Sequence, residues 1–258
     1  MYYPIQIPYL LNQAYSQNMN YMETAAADCE GFVICFWEMQ PASDKQLSLE
    51  NIIVADGCID IVVDYDEQRI GFAGMRQTAF HFQVQLPSRS FGARMKPGAF
   101  HQLTGLPATA AMDIILPLEA VWADFDPESF FSLPFEAAQQ ALQEMIAEKA
   151  RRVVPDLFTG LFDCLYDDAP FATEALYERL HFSPRQCQRL FIKHYGLTPK
   201  MVLSILRFQK CLEMLTAKAA SPSDVLDAAG YYDQPHFNKD FKRNLGITPL
   251  ELIRMYRD

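Results

Sequence analysis

Two stretches of this chain carry side chains suited to reading the edges of base pairs. In residues 233–249, DQPHFNKDFKRNLGITP, the residues Phe237, Phe241 and Leu245 recur at i, i+4 and i+8 and make one apolar stripe on a helix. Gln234, Asn238, Lys239, Lys242 and Arg243 fall off that stripe and face outward. In residues 183–199, SPRQCQRLFIKHYGLTP, the inward positions go to Cys187, Leu190, Phe191 and His194 or Tyr195. Arg185, Gln188, Arg189 and Lys193 are left outside. Arginine can bond bidentately to guanine, and Gln or Asn can do so to adenine. Lys193, Lys242 and Arg243 suit phosphate oxygens, which position a protein on a duplex without specifying sequence. Each of these faces also reads as an ordinary solvated helix surface, and Arg189 also fits an intramolecular salt bridge.

The elements that must hold these faces are punctuated alike. Asp233 and Ser183 can each cap a helix N-terminus, and Pro235 and Pro184 sit in the first turn, where a backbone N–H has no helical partner. Gly246 and Gly196 stand where each helix should stop, with Pro249 and Pro199 three residues beyond. The stretches share a capped start, a central Phe and a closing Gly-(Leu/Ile)-Thr-Pro, so one supersecondary unit occurs twice. A helix over about 199–217 joins them, with Val202, Leu206, Cys211 and Leu215 as its core residues. A loop at 215–224 follows, and Ser221-Pro222 starts the supporting helix of the second unit.

At these residues the C-terminal part resembles the DNA-binding domain of the AraC/XylS transcription regulators. The resemblance rests on SPRQCQRLF, Gly196 to Pro199, LRFQKCLEML at 206–215 and AAGYYDQPHFNKDFKRNLGITP at 228–249. It implies two helix-turn-helix units joined by one long helix, entering successive major grooves. It also implies base or adjacent phosphate contacts from Arg185, Gln188, Arg189, Gln234, Asn238 and Lys239. Two residues depart from the family pattern in the first supporting helix, TEALYERLHFS at 173–183: Tyr177 replaces a small Ala, and His181 replaces the turn Gly. His181 must therefore adopt a left-handed conformation, which is uncommon for a non-glycine residue.

Charge is divided unevenly along the chain. The whole chain of 258 residues has a formal net charge of −10. Residues 171–258 hold 13 Lys and Arg against 9 Asp and Glu, a net of +4, whereas residues 1–170 hold 9 against 23, a net of −14. A basic nucleic-acid module attached to an acidic one has this footprint, and the modest +4 calls for dimerisation or good base contacts. No apolar run is long enough to span a membrane, and the N-terminus lacks the basic start of a signal peptide, so a cytoplasmic location is expected. The cysteines at 29, 35, 58, 164, 187 and 211 form no CxxC pair and read as free thiols. The histidines at 81, 101, 181, 194 and 236 form no HxH, so no metal or cofactor is expected.

The N-terminal half reads as short strands at roughly ten-residue spacing. They are 32–39, 52–66 as strand, Asp-Gly turn and strand, 70–75, 80–86 and 90–100, with 40–51 polar and turn-like. Residues 2–9 alternate loosely, as a strand or extended arm would. In 59–65, Ile59, Ile61, Val63 and Tyr65 take one face, with Asp60 and Asp64 on the other. Phe80, Phe82, Val84 and Leu86 point inward from the next alternating run. Residues 30–125 resemble the N-terminal sensor-like domain of one branch of AraC-type regulators. The carrying residues are Asp56-Gly-Cys-x-Asp60, the Gly71–Gly74 strand, residues 92–99, Leu103 to Pro107 and Pro117-Leu118. Asp60 and Arg94 are candidates to orient a small ligand, or they form a structural ion pair. Further on, Asp126-Pro127 starts a short helix, Phe135, Ala138, Leu142, Met145 and Ile146 stripe a helix through 135–150, and another helix covers 155–166. The 135–150 helix either supports dimerisation or packs on its own domain.

The expected fold class is α+β multidomain. It comprises a small antiparallel β barrel or sandwich, cupin-like, with flanking helices (1–125), a helical linker (126–168) and an all-α domain of two helix-turn-helix units joined by a long helix (169–258). The expected partner is double-stranded DNA, with room for a small-molecule effector, a homodimer and, in an activator, RNA polymerase. The alternatives are a purely protein-interacting N-terminal domain, or one carrying an enzymatic activity, for which no catalytic residues stand out.

Overall fold

Alternating apolar and polar residues build two antiparallel sheets. A computed structural model describes residues 2–6, 13–76, 78–168, 172–216, 224–226, 229, 231 and 233–257. After a short helix α1 (Gln13–Asn18), the larger sheet contains β1 (Met19–Ala25), β2 (Val33–Pro41), β4 (Asp60–Asp64), β5 (Arg69–Ala73), β7 (Ser90–Met95) and β8 (Ile115–Pro117). Its order is β1-β2-β7-β4-β5-β8, while β3 (Leu47–Ile53) and β6 (Phe80–Leu86) form a separate pair. The sheet ends at β1 on one side and β8 on the other, so the arrangement is sandwich-like and the cupin-like closed barrel is not formed.

Side chains of adjacent residues point to opposite faces of a sheet. On one face, Phe36, Ile61, Val63, Phe72, Phe91, Ala93 and Met95 are buried. This face meets α2 (Ala99–Thr104), Trp122, α3 (Pro127–Phe131) and α4 (Phe135–Arg151). Phe72 meets Phe100 at 4.9 Å and Trp122 at 5.3 Å, and Phe91 meets Phe135 at 5.3 Å, all edge-on. The apolar stripe of α4 is thereby covered by its own sheet, with Phe135, Ala138, Leu142 and Ile146 buried. The opposite face carries Tyr21, Glu23, Cys35, Trp37, Asp60 and Arg94, and is polar.

Three of the expected features differ. The strand expected over 90–100 ends at Met95, and Ala99 already starts α2. Residues 40–51 are not all turn, because β3 starts at Leu47. The Asp-Gly at 56–57 does not make a hairpin between neighbouring strands, since β3 pairs with β6 while β4 pairs with β5 and β7. The reason is apolar matching: Leu47 and Leu49 stand opposite Leu86 and Val84, two of the inward positions of β6. At the N-terminus, residues 2–6 run without helix or strand, and 7–9 lie outside the described residues.

The remaining elements are helical: α5 (Leu157–Asp167), α6 (Thr173–Leu180), α7 (Pro184–Tyr195), α8 (Pro199–Thr216), α9 (Gln234–Leu245) and α10 (Pro249–Arg257). Residues 224–226 are helical too, while Ser221-Pro222, expected to start their helix, lies outside the described residues. Among the described residues, no helix is long and apolar enough to cross a membrane. One apolar core runs from the large sheet through α5 and α7 to Leu206 of α8. A second starts at Phe208 of α8 and continues through Tyr231, α9 and α10, and it includes Val54 of the β-rich part. The long helix α8 is therefore shared between two cores.

Candidate nucleic-acid interface

Each exposed polar helix is fixed at both ends by local chemistry. In α7 the Ser183 hydroxyl accepts from the Gln186 N–H at 3.3 Å and the Gln186 side chain accepts from the Ser183 N–H at 3.1 Å, a reciprocal capping box. Asp233 caps α9 by accepting from the His236 N–H at 2.8 Å. Both helices end on a left-handed glycine, Gly196 with φ 70° and Gly246 with φ 83°. The Gly-x-Thr-Pro that follows ends one helix and starts the next. Thr198 accepts from the Met201 N–H at 3.2 Å at the head of α8, and Thr248 accepts from the Glu251 N–H at 3.2 Å at the head of α10. The tight turn before α7 needs His181 at φ 54°, the left-handed conformation expected there.

The inward faces are buried as expected. Cys187, Phe191, His194 and Tyr195 are buried on α7, and Phe237, Phe241 and Leu245 on α9. Val202, Leu206, Cys211 and Leu215 are buried on α8. Arg185, Gln188, Arg189 and Lys193 are exposed on α7; on α9, Gln234, Lys239, Lys242 and Arg243 are exposed and Asn238 is half-buried. Spaced three and four apart, Arg185, Gln188 and Arg189 share one patch of helix surface. Arg189 makes no ion pair with a described residue, whereas Arg243 donates to Asp240 at 2.6 Å and to Ser204 at 2.9 Å.

The C-terminal end of α7 is held against α5 and α2. Tyr195 donates its hydroxyl to the Phe158 carbonyl at 2.5 Å, and the His194 ring stacks on Phe158 at 4.0 Å and meets His101 edge-on at 4.6 Å. Burial pushes the His194 imidazole down to about 4, against the pull of Asp156, whose Oδ2 lies 3.7 Å from its Nδ1. Within α8, Gln209 is 1% exposed and takes the Ile5 N–H at 2.8 Å on its oxygen.

The second candidate pair, Asp60 and Arg94, lies in a buried polar cluster. Arg94 donates to Glu23 at 3.0 Å and to the Tyr21 hydroxyl at 3.4 Å, and its Nε is 3.8 Å from Asp60. Glu23 also accepts from the hydroxyls of Tyr3 and Tyr21. Against the opposing effect of burial, these bonds and Arg94 hold the Glu23 carboxyl below its usual range. Burial dominates at Asp60 and pushes its carboxyl up to about 7 although Arg94 opposes it. Asp60 Oδ1, Arg94 Nε and Trp37 Nε1 have no hydrogen-bond partner among the described residues.

Residues 176–255 match the family described as "Helix-turn-helix domain", which spans α6 to α10 and both capped helices. The chain carries an AraC-type helix-turn-helix domain. That domain's sequence is 35% identical over 85 residues to the transcriptional activator RhaS of Escherichia fergusonii, covering 33% of this chain and 30% of that protein. It is 32% identical over 81 residues to the transcriptional activator RhaR of Pectobacterium atrosepticum, covering 31% of this chain and 28% of that one. The chain thus spans under a third of the length of these relatives. Ahead of the AraC-type domain, residues 24–117 match a "Domain of unknown function (DUF6597)", from β1 to β8. A solved structure of ToxT from Vibrio cholerae aligns over 93% of this chain and 100% of its own, at 10% identity and a TM-score of 0.41.

Several residues that build the AraC-type domain were not singled out by sequence reasoning. Gln186 completes the capping box, and its signal was its place three residues after Ser183. Gln209 and Asp240 are polar residues on otherwise apolar helix faces, and that oddity was their signal.

Proposed function

We propose that the chain is a sequence-specific DNA-binding transcription regulator that reads two successive major grooves. Base contacts come from Arg185, Gln188 and Arg189 on α7 and from Gln234, Asn238 and Lys239 on α9, with Lys193 and Lys242 on phosphates. The observation that carries this reading is the repetition: two helices of one capping design, each with an exposed polar face, joined by one helix rooted in both cores. On this reading residues 169–258 are the reader, 126–168 a helical linker and 1–125 the controlling domain, in the cytoplasm. RNA polymerase is then a partner if the regulator activates.

Selection from a random duplex library tests the proposal. Wild type should select a motif of two halves about one helical turn apart. The Arg185→Ala, Gln234→Ala double variant should keep only salt-sensitive background binding. A wild type that selects nothing, both as the full chain and as residues 168–258, rejects the proposal.

Control by a small ligand is supported by the polar face of the large sheet, where the buried Arg94 guanidinium lies beside Asp60 and Glu23. A metabolite that binds the folded chain should raise its melting temperature, and Arg94→Met should abolish that rise. Control by dimerisation predicts instead a melting temperature that rises with protein concentration and answers to no metabolite.

A further inference from the structure

The apolar stripe of α9 is interrupted by a carboxylate. Asp240 lies between Phe237 and Phe241 on the inner side of the helix, and its side chain is 8% exposed. A carboxylate is disfavoured in such a place unless its lone pairs are used. Here they are used on both oxygens. Oδ2 accepts from the Tyr231 hydroxyl at 2.7 Å, and Oδ1 accepts from the Arg243 guanidinium at 2.6 Å. Arg243 also donates to the Ser204 hydroxyl at 2.9 Å, and Ser204 belongs to α8. Tyr231 packs its ring on Phe237 at 4.9 Å, with the Arg207 guanidinium of α8 over the Tyr231 ring at 5.4 Å. The chain of contacts therefore runs from α8 to Arg243, to Asp240, to Tyr231 and back to α8.

We infer that Asp240 is a positioning residue for the second reading helix, and that Arg243 is its bridge to Ser204 of α8 rather than a phosphate contact. Apolar packing between two helices tolerates small rotations, whereas charge-assisted hydrogen bonds impose direction. The Asp240–Arg243–Ser204 bridge fixes the rotation of α9 on α8. That rotation decides which way Gln234, Asn238 and Lys239 point. This inference rests on the reading of α9 as a DNA-reading helix.

The test uses the full chain and the duplex it selects from a random library, with binding measured across salt concentrations. Lys242→Gln should lower the salt slope by about 0.9, the signature of a lost phosphate contact. Arg243→Gln should leave the slope unchanged while base substitutions in the α9 half-site lose about tenfold of their discrimination and those in the α7 half-site lose none. Asp240→Asn should behave like Arg243→Gln, and the double variant no worse than either. Arg243→Gln lowering the slope as Lys242→Gln does, with discrimination intact, overturns the inference. If wild type selects no duplex, the DNA reading itself has failed, and urea unfolding still decides the bridge. The effects of Arg243→Gln and Ser204→Ala, both away from the apolar core, should then be strongly non-additive, and simple additivity overturns the bridge.

Discussion

Gln209 Nε2 donates to the Ala55 carbonyl at 3.3 Å, joining the middle of α8 to a loop 154 residues earlier in the chain. The same amide group holds the backbone of Ile5 through its oxygen. The helix that joins α7 to α9 is thus bonded directly to the β-rich part, at the point where one core gives way to the other. Gln209→Leu fills the space but strands the Ala55 carbonyl and the Ile5 N–H. Urea unfolding of this variant should show a loss of about 1–3 kcal/mol, and amide exchange at Ile5 should speed up. Unchanged exchange at Ile5 would mean that the amide does not tie the two parts together.

His194 predicts a pH dependence with a definite sign. Its imidazole is lowered from 6.5 to about 4, so the folded chain stays neutral while the unfolded chain takes up a proton. The contribution to stability is complete above pH 6.5 and shrinks as pH falls toward 4. Between pH 7 and pH 5 wild type should lose about 2 kcal/mol through this group. His194→Phe keeps a ring against Phe158 and should lack that part of the loss, so its stability should fall less than that of wild type between pH 7 and pH 5. Parallel curves would show that His194 takes up its proton as readily in the folded chain as in the unfolded one.

His181 and Gly246 make a matched pair of opposite sign. His181 holds φ 54° without being a glycine, and Gly246 holds φ 83°. The left-handed conformation costs a residue with a Cβ roughly 1–2 kcal/mol. Thermal melts should therefore show His181→Gly more stable by about 1 kcal/mol and Gly246→Ala less stable by a similar amount. A His181→Gly variant that melts lower would mean that the imidazole itself supports the turn.

The helical half was legible because its signals are local. Ser183, Asp233, Gly196, Gly246 and the prolines after them are statements about backbone hydrogen bonds within one turn; α7 and α9 begin and end where those caps stand, and α8 and α10 begin at Pro199 and Pro249. The β-rich half was legible as strands but not as pairings. The alternation in Phe80–Leu86 marks a strand, yet nothing local in it names Leu47–Ile53 as its neighbour. β1 escaped notice because MNYMETA carries little of the β-branched and aromatic pattern, and it pairs as an edge strand with one neighbour only. At the interface, the outward side chains followed from helical periodicity. That Arg243 is occupied by Asp240 and Ser204 did not, because Ser204 belongs to another helix.

On the proposed function, α8 holds α7 and α9 at one fixed separation, and changing the separation of the two half-sites in the selected duplex tests this most directly. Inserting about 5 bp turns one half-site to the opposite side of the DNA, and inserting about 10 bp restores the side but doubles the distance. A reader fixed by α8 should lose the second half-site in both cases, with affinity falling to that of a single half-site. Binding that survives either insertion would contradict the account, because the two helices would then be free to move apart.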